Sequence, residues 1–167
     1  NGVGNGLGNV LWGNAADNLL DGKGGNDVLF GGAGNDTLQG GTGNDLYRFD
    51  RHGGSDVIVE NDSTAGNMDT LFIEARADEL WFRRDGADLT IDIMGSQDAS
   101  GSNPTQQITL RDYYSGAAHQ IERIVTTDGK VLSSAHIDAV VTALATEIET
   151  VGATQLGSTV GPPPEHR

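Results

Sequence analysis

The first half of this chain repeats itself every nine residues. The windows are GNGLGNVLW (4–12), GNAADNLLD (13–21), GKGGNDVLF (22–30), GGAGNDTLQ (31–39) and GGTGNDLYR (40–48), with Leu11, Leu20, Leu29, Leu38 and Tyr47 in one column. A unit this short cannot bury a core alone, so units must stack. Of the 25 glycines, 16 fall within residues 1–54, where they supply positive φ for turns without steric cost; Asn tolerates the same region. The three residues closing each window, such as Val28-Leu29-Phe30, favour extended structure, and only the middle one points inward. A flexible Gly/Asn-rich linker has no reason to hold a large apolar residue at every ninth position. The expectation is a parallel coil of turn-strand units, two nonapeptides per circuit, with Leu29, Leu38 and Tyr47 lining a thin interior.

Stacking sets like turns above one another at about the 4.8 Å strand spacing, placing Asp27 above Asp45 and Asp36 above the next acidic turn residue. Two carboxylates so close repel by roughly 1 kcal/mol in water and by more when shielded from it. Turn carbonyls outside any ladder point into the same gap. Carboxylate and carbonyl oxygens are the ligands hard Ca²⁺ prefers, whereas Mg²⁺ resists dehydration into an all-protein cage. Ca²⁺ between two Asp side chains would turn repulsion into a staple. The net charge of −14, from 24 acidic and 10 basic residues, makes cations natural partners. It argues against nucleic acid and against anionic membrane surfaces. With 36% hydrophobic residues and so much glycine, apolar burial offsets little of the ordering entropy. Metal binding is expected to supply folding energy.

The pattern G-G-x-G-x-D-x-U-x, U being a large apolar residue, is met in full at 31–39 and, with Tyr47 as U, at 40–48. On these residues the chain resembles the RTX (repeats-in-toxin, haemolysin-type calcium-binding) family, whose repeats form a right-handed parallel β-roll. The second half, YRF…GGSDVI…DTLFI…DELWFRRDGADLTIDIMG…LRDYY…HQIERI, resembles the segment after the last repeat block of RTX cytolysins, above all the adenylate cyclase haemolysin toxins. The resemblance implies that turn n and turn n+2 share each ion. The earlier turn gives carbonyls 2 and 4 and its Asp; the later gives carbonyls 1 and 3 and its Asp. Carried over, Lys23, Gly25 and Asp27 pair with Gly40, Thr42 and Asp45. Gly32, Gly34 and Asp36 pair with Arg51, Gly53 and Asp56, where the spacing slips by two residues. Asn9 with Gly22, Gly24 and Asp27, and Asn18 with Gly31, Ala33 and Asp36, would make weaker sites, because Asn brings a neutral oxygen. Gly41, Gly43 and Asp45 would close one more with Gly66 and Asp69 across a longer insertion. About three to five ions are implied.

Residues 1–60 are thus expected to form the roll, 61–133 a β-rich flanking cap, 134–150 an amphipathic helix and 151–167 a disordered tail. Alternating residues 69–74, 79–83, 89–93 and 107–111 read as strands. Hairpin signals stand at Asp85-Gly86 and Asp128-Gly129, and residues 94–105 read as a loop. Ile137, Val140, Val141, Leu144 and Ile148 follow helical spacing after Ser133 or Ser134 as N-cap. An exposed parallel edge is an aggregation template, so a cap over the open end is expected, with Trp81, Phe82, Tyr113 and Tyr114 as candidate contacts.

Four histidines lack metal-ligand spacing, and neither H-E-x-x-H nor G-x-S-x-G is present. An enzyme is not expected. The absence of cysteine excludes disulfides and thiolate metal sites and fits export of an unfolded chain from a reducing cytosol. No apolar run reaches the roughly 18 residues of a transmembrane helix. The chain opens Asn1-Gly2-Val3-Gly4, without a start Met or signal peptide, and reads as a segment of a larger exported protein. The expectation is an all-β, calcium-binding module with one short helix that folds on Ca²⁺ after type I secretion. Its partners would be Ca²⁺ and, transiently, the secretion machinery; it would be monomeric and extracellular or on the bacterial cell surface. The rival reading is a calcium-dependent glycan- or surface-binding module of an RTX adhesin.

Overall fold

The computed structural model describes residues 1–94 and 106–143. Their strands form two sheets. One runs β1 (Gly2–Val3), β3 (Leu19–Asp21), β5 (Thr37–Gln39), β7 (Ser55–Val59), β11 (Gln106–Arg111), β10 (Asp88–Ile93) and β9 (Leu80–Asp85). The other runs β2 (Val10–Trp12), β4 (Val28–Phe30), β6 (Leu46–Phe49), β8 (Thr70–Ile73), β12 (Arg123–Thr126) and β13 (Val131–Ser133). From β1 to β8, consecutive strands alternate between the sheets and neighbours within each sheet are parallel. The chain is an all-β fold built on a parallel β-roll.

The nonapeptide sets the register. Leu20 lies opposite Leu38, and Leu29 lies opposite both Leu11 and Tyr47, each pair two nonapeptides apart. Higher up the circuit lengthens, by two residues where Leu38 faces Ile58 and by six where Tyr47 faces Leu71. A strand pairs only in the register that keeps its apolar residue inside, so the additional residues fall in the turns. Leu20, Leu29, Leu38, Tyr47, Ile58 and Leu71 are all buried. The residue after each of these faces outward. On one sheet that outer column is Trp12, edge-on to Phe30 with ring centroids 4.8 Å apart, then Arg48, whose guanidinium lies 5.8 Å from the centroids of both Phe30 and Phe72.

Both sheets run on past the repeats. β11 pairs parallel with β7 and β12 parallel with β8, and each sheet then ends in antiparallel partners, β10–β9 and β13. Leu89, Ile91, Ile108, Leu110 and Ile124 share one buried cluster with the roll leucines. The strands expected at 69–74, 79–83, 89–93 and 107–111 appear as β8, β9, β10 and β11. Gly86, at φ 62, lies in the two-residue turn between β9 and β10. The outermost strand exposes Arg83, Arg84 and Asp85, charges that discourage further pairing.

Of the four candidate cap aromatics, Phe82 and Tyr113 are buried and Tyr114 packs against the core. Trp81 is 59% exposed. The strand period lets only one of Trp81 and Phe82 face inward, and the register gives that place to Phe82, opposite Ile91, leaving Trp81 opposite Asp92. A helix spans 134–143, with Ser133 Oγ accepting the His136 N–H at 3.4 Å and Ile137 buried. Residues 95–105 of the loop expected over 94–105, the rest of the helix expected to 150 and the tail over 151–167 lie outside the described residues.

Candidate metal centres

The turns stack along two edges of the roll. One carries turns 4–9, 22–27 and 40–45; the other carries 13–18, 31–36 and 51–56. In the last four of these in chain order, the second and fourth residues are left-handed: Lys23 and Gly25, Gly32 and Gly34, Gly41 and Gly43, His52 and Gly54. This continues the register that puts Arg51 first and Gly53 third in their turn. Lys23 (φ 78) and His52 (φ 71) hold that conformation despite a Cβ, at a cost of about 1–2 kcal/mol each. No Asn among the described residues takes a positive φ. Turns 4–9 and 13–18 have none at all; Leu7 and Ala16 stand at the fourth position, which is Gly in each of the four later turns.

The left-handed glycines let coils approach. A Cβ on Gly41 would strike the Lys23 carbonyl, and one on Gly43 the Gly25 carbonyl. The second and fourth carbonyls of turn 22–27 therefore face turn 40–45. From the other side, the Gly40 carbonyl and Asp27 Oδ2 converge on the face of Gly22, where a Cβ would meet both. Thr42 N–H donates to the Lys23 carbonyl at 3.2 Å. Lys23, Gly25, Asp27, Gly40, Thr42 and Asp45 thus lie around one inter-coil gap. On the other edge the Gly34 carbonyl likewise faces Gly54.

The acidic residues form ladders. Asp27 Oδ1 accepts the Asn9 N–H, Asp45 Oδ1 the Asp27 N–H, and Asp69 Oδ1 the Asp45 N–H, at 2.7–2.8 Å. On the second edge Asp36 Oδ1 accepts from Asn18 at 2.8 Å and Asp56 Oδ1 from Asp36 at 2.9 Å. The other oxygen is different. Oδ2 of Asp27, Asp36 and Asp45 is buried with no hydrogen-bond partner. Among the described residues no cation forms an ion pair with these carboxylates. Burial accordingly pushes their pKa values up: Asp45 to about 6, Asp56 and Asp69 to about 7, with Asp27 and Asp36 also raised. Orphaned buried carboxylate oxygens beside inward carbonyls, with no nitrogen or sulfur donor, match the all-oxygen cage of Ca²⁺.

The ends of the edges depart in part from the sequence reading. Asp69 joins Asp45 as the sequence reading expects, their carboxylate oxygens within 4.8 Å, while Gly66 has nothing within 4 Å of a Cβ placed on it. Asp62, which no repeat marks, also reaches this turn, its Oδ2 accepting the Gly43 N–H at 2.9 Å. The lengthened circuit also brings in Glu60, buried, with Oε2 accepting the Tyr47 hydroxyl at 2.5 Å. Glu122 from the flank extends the ladder by accepting the Asp69 N–H at 2.7 Å. Burial raises Glu60 to about 8. On the second edge Arg51 donates its N–H to Glu74 at 3.1 Å and its guanidinium to Glu79 at 2.6 Å, so an ion pair closes that stack.

A second ladder runs beside the acidic one. Asp17, Asn26, Asn35 and Asn44, each the fifth residue of its turn, accept the N–H of Asn35, Asn44, Ser55 and Met68 in the coil above, at 2.8–3.0 Å. Its signal in the sequence is the Asn that precedes Asp27, Asp36 and Asp45.

Residues 12–47 match the family described as the RTX calcium-binding nonapeptide repeat, in four copies. Residues 88–136 match the haemolysin-type calcium-binding protein related domain. The two matches fall on the roll and on its flank.

Proposed function

The chain belongs to the RTX haemolysin-type calcium-binding family, and on that premise we propose a module that folds on Ca²⁺ after type I secretion and so drives folding of a larger exported protein. One observation carries the reading: the three buried, partnerless oxygens of Asp27, Asp36 and Asp45. Burying charge without a partner opposes folding, so these side chains hold the unliganded coil open. Lys23, Gly25 and Asp27 would hold Ca²⁺ with Gly40, Thr42 and Asp45; Gly32, Gly34 and Asp36 would do so with Arg51, Gly53 and Asp56. Asn9 with Gly22, Gly24 and Asp27, and Asn18 with Gly31, Ala33 and Asp36, would make weaker sites. Bound Ca²⁺ supplies the positive charge that cross-links successive coils. A chain tuned to extracellular Ca²⁺ stays unfolded where the ion is scarce and folds where it is plentiful. Calorimetric titration tests this: the chain should bind several Ca²⁺ ions with a folding enthalpy, and Mg²⁺ should not produce it. Equal responses to both ions would refute it.

The outer column supports a second reading, calcium-dependent attachment to glycans or surfaces. Trp12 is 67% exposed and held edge-on by Phe30, an aromatic face of the kind sugars stack on. A glycan array run in Ca²⁺ decides it. Binding lost in Trp12→Ala would favour attachment; a blank array would leave the folding role alone.

A further inference from the structure

Resting on that calcium reading, we propose that Glu60, a residue outside the nonapeptide pattern, is a Ca²⁺ ligand where the roll meets its flank, completing with its carboxylate the site that Asp45 and Asp69 begin. Ligand oxygens of these three side chains all lie within 4.8 Å of one another, and all three residues are buried. One of them points there without a partner. Asp45 Oδ2 has no hydrogen bond and sits on the face of Gly40, where the Tyr47 hydroxyl also lies. That hydroxyl leads to Glu60 Oε2, 2.5 Å away. The other oxygen of Glu60 accepts the Asn61 N–H at 3.1 Å. The Asp69 carboxylate accepts from the Asp45 N–H at 2.8 Å and from the Asn67 amide at 3.1 Å.

The arrangement follows from the longer circuit. In the three lowest turns, the first N–H donates to a carbonyl of the next coil: Gly4 to Asp21, Gly13 to Phe30 and Gly22 to Gln39. At Gly40 the main chain above has moved away, and the N–H donates to the Tyr47 hydroxyl at 2.8 Å instead. Tyrosine at a position otherwise held by leucine thus replaces a backbone acceptor and orients Glu60. In the gap below, the oxygen set against Asp27 Oδ2 is the Gly40 carbonyl; at the junction, Glu60 brings an acidic oxygen into the corresponding gap. Three buried carboxylates demand a cation, and a donor set of oxygen alone selects Ca²⁺ over transition metals. The Asp69 N–H is held by Glu122, so an ion here would tie the last repeat to the flank.

The test counts ions. Bound Ca²⁺ per chain is measured by equilibrium dialysis and atomic emission for the wild type, Glu60→Gln and Asp85→Asn, the last an exposed acid outside the cluster. Glu60→Gln should bind one ion fewer at concentrations that saturate the wild type, while Asp85→Asn binds the full number. Tb³⁺ luminescence is the second measurement and needs no change at Glu60. Excited through tyrosine, emission should fall more in Tyr47→Phe than in Tyr114→Phe. A full complement in Glu60→Gln, or undiminished emission in Tyr47→Phe, overturns the junction site and leaves the calcium module standing. A wild type that binds no Ca²⁺ overturns both.

Discussion

Asp36 carries more of the proposed calcium scaffold than any single residue in its stack, and replacing it by alanine should show this. Its Oδ1 accepts the N–H of buried Asn18, its own N–H donates to Asp56, and its Oδ2 is the buried, partnerless oxygen facing the ion gap. Asp36→Ala strands the Asn18 N–H, costing about 1–3 kcal/mol. It also removes one carboxylate from each of two proposed sites. A tenfold weakening at each site costs about 1.4 kcal/mol when Ca²⁺ saturates the wild type. The sum is about 4–6 kcal/mol, and with about four ions taken up on folding it moves the calcium midpoint roughly five- to tenfold upward. The assay is the far-UV circular dichroism signal against free Ca²⁺. Asn9→Ala should move the midpoint by less than about twofold, because the Asn9 side chain accepts only the exposed Asn5 N–H at the loose end of the stack. Asp85→Ala, outside the repeats, should not move it. An Asp36→Ala midpoint matching that of Asp85→Ala would refute the shared-ion arrangement.

Acidification should partly replace calcium. Burial raises Asp45, Asp56, Asp69 and Glu60 to between about 6 and 8 in the metal-free fold, above their unfolded values. The metal-free fold then holds more protons than the unfolded chain between about pH 4 and 8, and its stability falls as pH rises through that window. In EGTA the β signal at pH 5.5 should exceed that at pH 8, and equal signals would contradict the burial of these acids. Gly41→Ala (φ 100, against the Lys23 carbonyl) should destabilise the calcium form by more than about 2 kcal/mol, whereas Gly86→Ala (φ 62, with nothing within 4 Å) should cost about 1 kcal/mol; similar denaturant midpoints would remove the close-approach argument. Ending the chain at residue 60 strips β8, β11 and β12 from the leucine column and Asp69 from Asp45. Such a chain should not fold in Ca²⁺, and folding at the full-length midpoint would deny the flank a capping role.

The roll is legible in the sequence because its information is periodic. A leucine every nine residues specifies both the inward column and the register of two nonapeptides per coil, and the Asp ladder follows from that register. The left-handed positions follow the same register from Lys23 onward, His52 included, but not in turns 4–9 and 13–18, where the period holds and the conformation does not. What lacks a period stays hidden. Glu60 and Asp62 lie in the longer circuit that carries Tyr47 to Leu71, and Glu122 arrives with the pairing of β12 on β8; no repeat marks them. The flanking strands announce themselves by alternation, but not their partners, since the β7–β11 pairing joins Ile108 to Asp56 across the whole of β8, β9 and β10. Alternation also requires one of Trp81 and Phe82 to point outward without saying which; pairing with β10 makes the choice.

If calcium is the source of folding energy, one pair of spectra shows it directly. Far-UV circular dichroism of the whole chain at neutral pH, first in EGTA and then in millimolar CaCl₂, should show a largely disordered chain that gains β-structure when Ca²⁺ is added. A chain already rich in β-structure in EGTA, and unchanged by Ca²⁺, would contradict it.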